Sequence, residues 1–149
     1  MIIRRSSAAF FVIGALAAGS AVGLGAFATH GLGEAMNYPP ERVQTFIEAT
    51  MFQADQGIAL LAVGILCQLM AAGWSRRIVQ VSGVLLVGSI AMFPPSVYSI
   101  VTGGWGELAP VGGFCAMIGW ALFAVGAIVG AIKGDVDVRL GAARPQPAE

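Results

Sequence analysis

The sequence predicts an all-α integral membrane protein, a four-helix bundle with glycine-rich packing faces and a short amphipathic lead-in before the second span. Three observations support this fold class. Of the 149 residues, 57% are hydrophobic and 11% charged, and the mean hydropathy is +0.81, whereas soluble domains are about one-quarter charged. Apolar runs long enough to cross a bilayer recur along the chain. The 21 glycines follow no collagen period and favour close contact between helices.

Four apolar runs give the predicted spans, at about 7–28, 52–73, 78–101 and 111–132, within one transmembrane domain over 1–133. Each run has the roughly 20 residues that a helix needs to cross the hydrocarbon. A polar, flexible tail is predicted over 134–149. The first run follows two arginines and resembles a secretory signal peptide, but it is longer than the usual apolar core of one.

Proline pairs occur at two points in the chain, one before the second span and one within the third. A connection is predicted over 29–40, and the proline pair at its end favours the start of a helix. Apolar side chains then recur at helical spacing with polar residues on the other faces, so we expect the lead-in to lie at the membrane interface or to project just above it before it runs into the second span. In the third span, Pro94 and Pro95 remove two backbone donors and predict a helix break. A kinked and capped helix end is favoured over a ligand site there.

Two GxxxG motifs predict helix packing faces. Gly19 and Gly23 form the first motif in the first span, and Gly126 and Gly130 form the second motif in the last span. Small residues at this spacing let two helix backbones approach closely in lipid.

The charges are distributed unequally between the two sides of the predicted bundle. Seven of the eight basic residues fall on one side, and Arg42 alone falls on the other. By the positive-inside rule, both termini are predicted to be cytoplasmic, in a bacterial inner membrane or a mitochondrial-type membrane. The net charge is zero, so the sequence offers no basic face for nucleic acid. The predicted partners are the lipid bilayer and either further copies of the chain or a larger membrane complex.

Candidate chemistry is concentrated at the side opposite to the basic residues, in an outer polar cluster of His30, Asp55, Gln56 and Tyr98. Histidine changes charge near neutral pH, so the cluster could admit a proton or a small solute. Polar side chains near span ends more often cap helices and anchor a bundle. Asp55 is placed just inside the outer boundary, where a buried carboxylate would need a partner such as His30.

The sequence does not predict an enzyme. Nucleophile motifs, a Walker loop and a dinucleotide-binding fingerprint are absent. Cys67 and Cys115 lie in apolar runs and, together with one histidine, do not make a zinc site, so no metal and no cofactor are expected.

Three ordered segments carry a family resemblance. They are GAFATHGL at 25–32, FQADQGIALL at 52–61, and PVGG at 110–113 leading to Gly119-Trp120. These segments resemble the uncharacterised membrane family of bacterial YgdD and vertebrate transmembrane protein 256. The resemblance implies a small four-span inner-membrane protein whose activity is not established. In that family a histidine usually occupies the position of Gln56, and a Phe-Ser-Gly-Ser-Leu-Tyr run usually ends the third span, where this chain has 93–98 as FPPSVY.

Three functions follow as hypotheses. The first is a structural or accessory component that packs with itself or with a larger membrane complex. The second is a minimal transporter or channel for a small solute or proton, which would use the outer polar cluster around His30 and Asp55. The third is catalysis at the outer surface, in a pocket around His30.

Overall fold

The computed structural model describes residues 4–135 and consists of four long helices. Helix α1 covers Arg5–Ala26, α2 covers Pro40–Leu69, α3 covers Trp74–Val101 and α4 covers Ala109–Lys133. All four are long and apolar enough to cross a membrane. The predicted fold class is therefore confirmed. Beyond Asp135, the predicted polar tail lies outside the described residues.

The region predicted as a connection over 29–40 is mostly helical. A π-helical segment, Phe27–Ala35, continues directly from α1. The amide of Met36 donates to the carbonyl of Gly31 at 2.9 Å, which closes the last wide turn. A Cβ atom on Gly31 would lie 2.6 Å from the ring of Phe27, so this turn has no room for a larger residue. The non-helical turn is consequently limited to 36–39.

The amphipathic lead-in is the first part of α2, continuous with the second span, and its inner face packs against the rest of the bundle. The ring of Phe46 stacks on Tyr98 of α3 with 4.3 Å between centroids. Arg42 Nη1 donates to the carbonyl of Val101 at 3.4 Å, at the very end of α3. These contacts hold the lead-in upright, and α2 ends at Leu69, before the predicted limit of 73.

Helix α3 continues through Pro94 and Pro95 to Val101, so the predicted helix break does not interrupt it. The residue before Pro94 is packed on both sides of the helix, by α2 and by α4. Phe93 stacks on Phe52 of α2 with 4.4 Å between centroids. Its backbone nitrogen would lie 2.6 Å from a Cβ added to Gly112 of α4, which shows how closely these helices approach.

Consecutive helices form the bundle. Helix α1 packs on α2, α2 on α3, and α3 on α4, whereas α1 and α4 do not contact each other within the described residues. The main hydrophobic core lies among α1, α2 and α3, around Leu60, Val63 and Leu86. The two central helices are α2 and α3, and the outer faces of α1 and α4 do not contact the other described helices.

The interface between α3 and α4 is built from small residues at a seven-residue period. Four serines of α3 are buried at this spacing, namely Ser75, Ser82, Ser89 and Ser96. Three buried glycines of α4 repeat with the same period, namely Gly112, Gly119 and Gly126. The Ser82 hydroxyl donates to the Gly119 carbonyl at 2.7 Å. A seven-residue period keeps two helices in register with a left-handed crossing.

The two predicted GxxxG motifs have different surroundings. Gly126 packs against Val79 of α3, and Gly130 is buried. By contrast, a Cβ atom on Gly19 or Gly23 would meet nothing within 4 Å, so this motif does not pack on another helix among residues 4–135.

Helix α1 contacts α2 through Gly14, about one and a half turns before Gly19. A Cβ on Gly14 would lie 2.6 Å from the Gly57 carbonyl, and a Cβ on Gly57 would lie 2.8 Å from the Gly14 carbonyl. The two backbones are therefore in direct contact at this crossing.

The described charges separate into a basic end and an acidic end of the bundle. Arg4 Nη1 donates to the Met70 carbonyl at 2.9 Å, and the Ala71 amide donates to the Asp135 carbonyl at 2.8 Å. The start of α1, the turn between α2 and α3, and the end of α4 therefore share the basic end. Its described basic residues are Arg4, Arg5, Arg76, Arg77 and Lys133. Arg42 lies at the acidic end, with Glu34, Glu41, Glu48 and Glu107.

Candidate functional site

A buried amide joins three helices through hydrogen bonds. Gln53 of α2 is 7% exposed, and its Nε2 donates to the Ala17 carbonyl at 3.0 Å and to the Ser20 hydroxyl at 2.9 Å on α1. Its Oε1 accepts from the Tyr98 hydroxyl of α3 at 3.1 Å. Polar groups away from water need such partners, because an unsatisfied one costs several kcal/mol. Gln53 therefore fixes the relative positions of α1, α2 and α3.

A second buried amide links α2 to α4. Gln56 is 5% exposed, and its Oε1 accepts from Trp120 Nε1 at 3.0 Å. The Trp120 ring also lies edge-on to Phe123, with 6.1 Å between centroids. Helices α2 and α4 touch at few points, so this bond is a main connection between them.

Asp55 lies near the middle of the bundle. It is the sixteenth of the 30 residues of α2. The next residue, Gln56, bonds Trp120, the twelfth of the 25 residues of α4. Gly57 contacts Gly14, the tenth of the 31 residues of the continuous helix Arg5–Ala35. Helices α2 and α4 thus meet near mid-length at the level of Asp55, and the first helix meets them about one third of the way along.

The charged residues of α2 also show how far Asp55 lies from the acidic end of the helix. From Glu48 to the end of α2 at Leu69 is 21 residues, about 31 Å along the axis, close to the thickness of a bilayer's hydrocarbon. Asp55 is the one charged residue of α2 between them, about 10 Å deeper than Glu48. The predicted position just inside the outer boundary stays a prediction, and the axial distance places Asp55 about two turns beyond Glu48 along α2.

Asp55 faces an open groove between α2 and α4. The groove has a volume of about 410 Å³ and is lined by Asp55, Gln56, Ile58, Ala59, Ala62 and Trp120. The Asp55 side chain is exposed on the outer surface of the bundle. It has no hydrogen-bond or ion-pair partner among residues 4–135. A carboxyl group in hydrocarbon is costly and is held there for a function by default.

The predicted outer polar cluster is not assembled. His30 is in the π-helical segment at the acidic end, and its Nδ1 lies 2.9 Å from Glu34 Oε2, one turn along the same segment. Both side chains are about 70% exposed. Glu34 is four residues from His30 on the same helical face, so Glu34, and not Asp55, is the carboxylate that pairs with His30. Tyr98 pairs with Gln53, and Gln56 pairs with Trp120.

Trp120 is a site residue that the sequence-based cluster omits. A signal for Trp120 exists in the sequence, since tryptophan usually lies at a membrane interface, and one at mid-span needs a partner for its N–H. The same reasoning applies to Gln53, because an amide within an apolar helix must bond to a neighbouring helix.

The fold and the site define a class of protein: a small four-helix membrane protein with amides bridging its helices and one carboxylate near the middle of its second helix. The family model of a protein of unknown function, DUF423, matches residues 24–113. A UPF0382 membrane protein of Staphylococcus saprophyticus is 32% identical over 120 residues, covering 78% of this chain and 94% of that protein. A UPF0382 membrane protein of Staphylococcus aureus is also 32% identical, over 78% of this chain and 92% of that protein.

This chain belongs to the DUF423 family. The match includes the π-helical segment, all of α2 and α3, and the first residues of α4. It confirms the resemblance to an uncharacterised membrane family that the three sequence segments indicate. No solved structure matches the chain.

Proposed function

We propose that this protein is a non-catalytic structural or accessory component that associates, within the membrane, with further copies of itself or with a larger complex. One observation carries the proposal. The GxxxG motif of Gly19 and Gly23 faces outward with open space above it. The glycines at the internal helix crossings, such as Gly14, Gly57 and Gly119, each have a neighbouring helix within contact distance.

The outward GxxxG face suits contact with another transmembrane helix. Helix association in lipid depends on close packing, and small residues four apart permit it. Gly19 and Gly23 are flanked by exposed apolar side chains, including Leu16, 68% exposed, and Val22, 75% exposed. Such side chains would frame an approaching helix on both sides of the glycines.

The proposed location is the bacterial inner membrane, with both termini cytoplasmic. The basic end, which contains the start of α1 and the end of α4, supports this orientation through the positive-inside rule. Cysteine labelling of membranes at the turn between α2 and α3, compared with the turn between α3 and α4, tests it.

Cross-linking in native membranes tests the association. In a background with Cys67 and Cys115 replaced by alanine, Gly19→Cys should form a disulfide-linked dimer on oxidation if the chain pairs with itself. Met117→Cys, on the exposed face of α4 and 68% exposed, is the matched control and should stay monomeric.

Leucine substitution extends the test to other partners. Gly19→Leu and Gly23→Leu have space for the new side chain within the chain itself, so they should preserve the fold while removing any higher-mass species from mild detergent extracts. Ala124→Leu, exposed on α4, is the control. A wild-type protein that is monomeric in these extracts, with no Gly19→Cys dimer, would contradict the proposal.

A second candidate is a minimal transporter or channel for a small solute or proton. The observation that favours it is an Asp55 unpaired among the described residues, beside an open groove near the middle of α2. The group around His30 offers no such support, because His30 pairs with Glu34 at the acidic end. Liposomes loaded with a pH-sensitive dye test this candidate: a proton flux through the wild-type protein that Asp55→Asn abolishes would support it, and equal fluxes would exclude Asp55 from the path.

A further inference from the structure

We propose that the groove between α2 and α4 binds a lipophilic organic cation, whose positive charge pairs with Asp55 and whose apolar part lies along the α2 side of the groove. The proposal names a ligand class for the groove of the second candidate function. It concerns binding alone and involves neither transport nor the α1 face, so it can be tested separately from both proposed functions.

Charge complementarity selects a cation. Asp55 has no partner among the described residues, and the neighbouring turns of α2 and the whole of α4 before Lys133 have no basic residue that could reach it. A carboxylate at this depth needs a positive charge or a proton to be stable in hydrocarbon. A cation bound from outside residues 4–135 would supply this positive charge.

The lining of the groove selects an organic cation with an apolar part. Ile58, Ala59 and Ala62 provide an apolar wall, and Trp120 provides an aromatic ring that is 44% exposed. Tryptophan is the best aromatic side chain for attracting a cation through its ring face. A concave, mostly apolar site with a few polar groups, about 410 Å³ in volume, falls in the range that small ligands occupy.

The structure also fixes the shape of the site in the absence of a ligand. The bond from Trp120 Nε1 to Gln56 Oε1 holds the ring beside the groove. Gln56 is itself buried beside Gly57, at the close crossing with α1. A preformed site binds with less loss of side-chain freedom. The groove opens on the outer surface of the bundle, so a lipid-soluble ligand would enter it from the bilayer.

Tetraphenylphosphonium is a suitable probe for this site. We expect saturable binding to the purified protein in nanodiscs by equilibrium dialysis, and a change in tryptophan fluorescence that Trp120→Phe removes. Asp55→Asn should weaken binding at least ten-fold, and Asp55→Glu should retain part of the affinity. Glu48→Gln is the matched control, because it removes a carboxylate of the same helix two turns away, and should bind as the wild-type protein does.

Asp55→Asn is expected to fold, because the side chain is exposed and makes no hydrogen bond to residues 4–135. Circular dichroism of each variant checks this point. The probe should also protect Asp55 from modification by dicyclohexylcarbodiimide, measured by mass spectrometry. Equal binding by wild-type protein and Asp55→Asn would overturn the proposal. So would carbodiimide modification of Asp55 without protection by the probe, which would mean that the site holds a proton alone.

Discussion

Replacing Gly57 by alanine should destabilise the protein, because α1 and α2 are in backbone contact at this position. The added Cβ would lie 2.8 Å from the Ala18 nitrogen and 2.8 Å from the Gly14 carbonyl oxygen. Ordinary contacts begin at 3.4 Å, so the two helices would have to separate by about 0.6 Å, the difference between those two distances. Both obstructing atoms belong to backbone, and neither can rotate away.

Overpacking of this kind costs about 1–3 kcal/mol, which corresponds to about a 5- to 150-fold change in the folding equilibrium. Gly23→Ala is the matched control. It lies within α1, and its Cβ would meet nothing within 4 Å. Both substitutions gain the same intrinsic helix propensity, about 0.8–1.0 kcal/mol. The difference between the two variants therefore isolates the steric cost of the crossing.

The measurement is equilibrium unfolding in mixed micelles, with increasing dodecyl sulfate and detection by circular dichroism and tryptophan fluorescence. Gly57→Ala should unfold at a clearly lower fraction of dodecyl sulfate than the wild-type protein, and Gly23→Ala at the same fraction or higher. Coincident transitions for the two variants would refute the close crossing of α1 and α2.

Three further predictions use the same unfolding measurement. Ser82→Ala should lower the free energy of unfolding by about 0.6 kcal/mol or more, the typical value of a hydrogen bond between membrane helices, because the Ser82 hydroxyl bonds Gly119 of α4. Ser89→Ala should lower it less, because the Ser89 hydroxyl bonds Leu86 of its own helix. A larger loss for Ser89→Ala than for Ser82→Ala would contradict the bond between α3 and α4. Gln53→Leu should lower the free energy of unfolding by about 1–3 kcal/mol, because it removes all three hydrogen bonds of the amide. Tyr98→Phe removes one of these bonds and should have about a third of that effect. Equal losses for the two variants would mean that the bond to Tyr98 provides the stabilisation. His30→Ala should change stability by less than about 0.5 kcal/mol, because its partner Glu34 is exposed on the same segment, and a larger loss would indicate a further contact of His30.

Hydropathy was sufficient to predict the number of helices and the membrane class. The apolar runs and the few charges identify four spans, and the proline pair at 39–40 coincides with the start of α2. The small residues at a seven-residue period in α3 and α4 are visible in the sequence as well. They predict the α3–α4 interface better than the GxxxG motif of Gly19 and Gly23, which faces outward.

The axial alignment of the helices could not be derived in this way. An apolar run shows that a helix can cross the bilayer, but contacts such as Gly14 with Gly57 and Phe52 with Phe93 decide which residues share a level. For this reason the sequence alone does not show that Asp55 lies close to the level of the crossing between Gly14 and Gly57. The π-helical segment was also missed, because the choice between a wide helical turn and a loop depends on how Phe27 packs over Gly31.

The absence of contact between α1 and α4, within the described residues, has a consequence for how the chain is assembled. The two most extensive interfaces, α1 with α2 and α3 with α4, are each made by neighbours in sequence. The molecule is thus two helical hairpins joined by residues 70–73 at the basic end. Each hairpin can enter the bilayer during synthesis with its own interface already formed. The second hairpin then packs against the first through α2 and α3. The last helix to be synthesised, α4, needs no contact with α1 for this step.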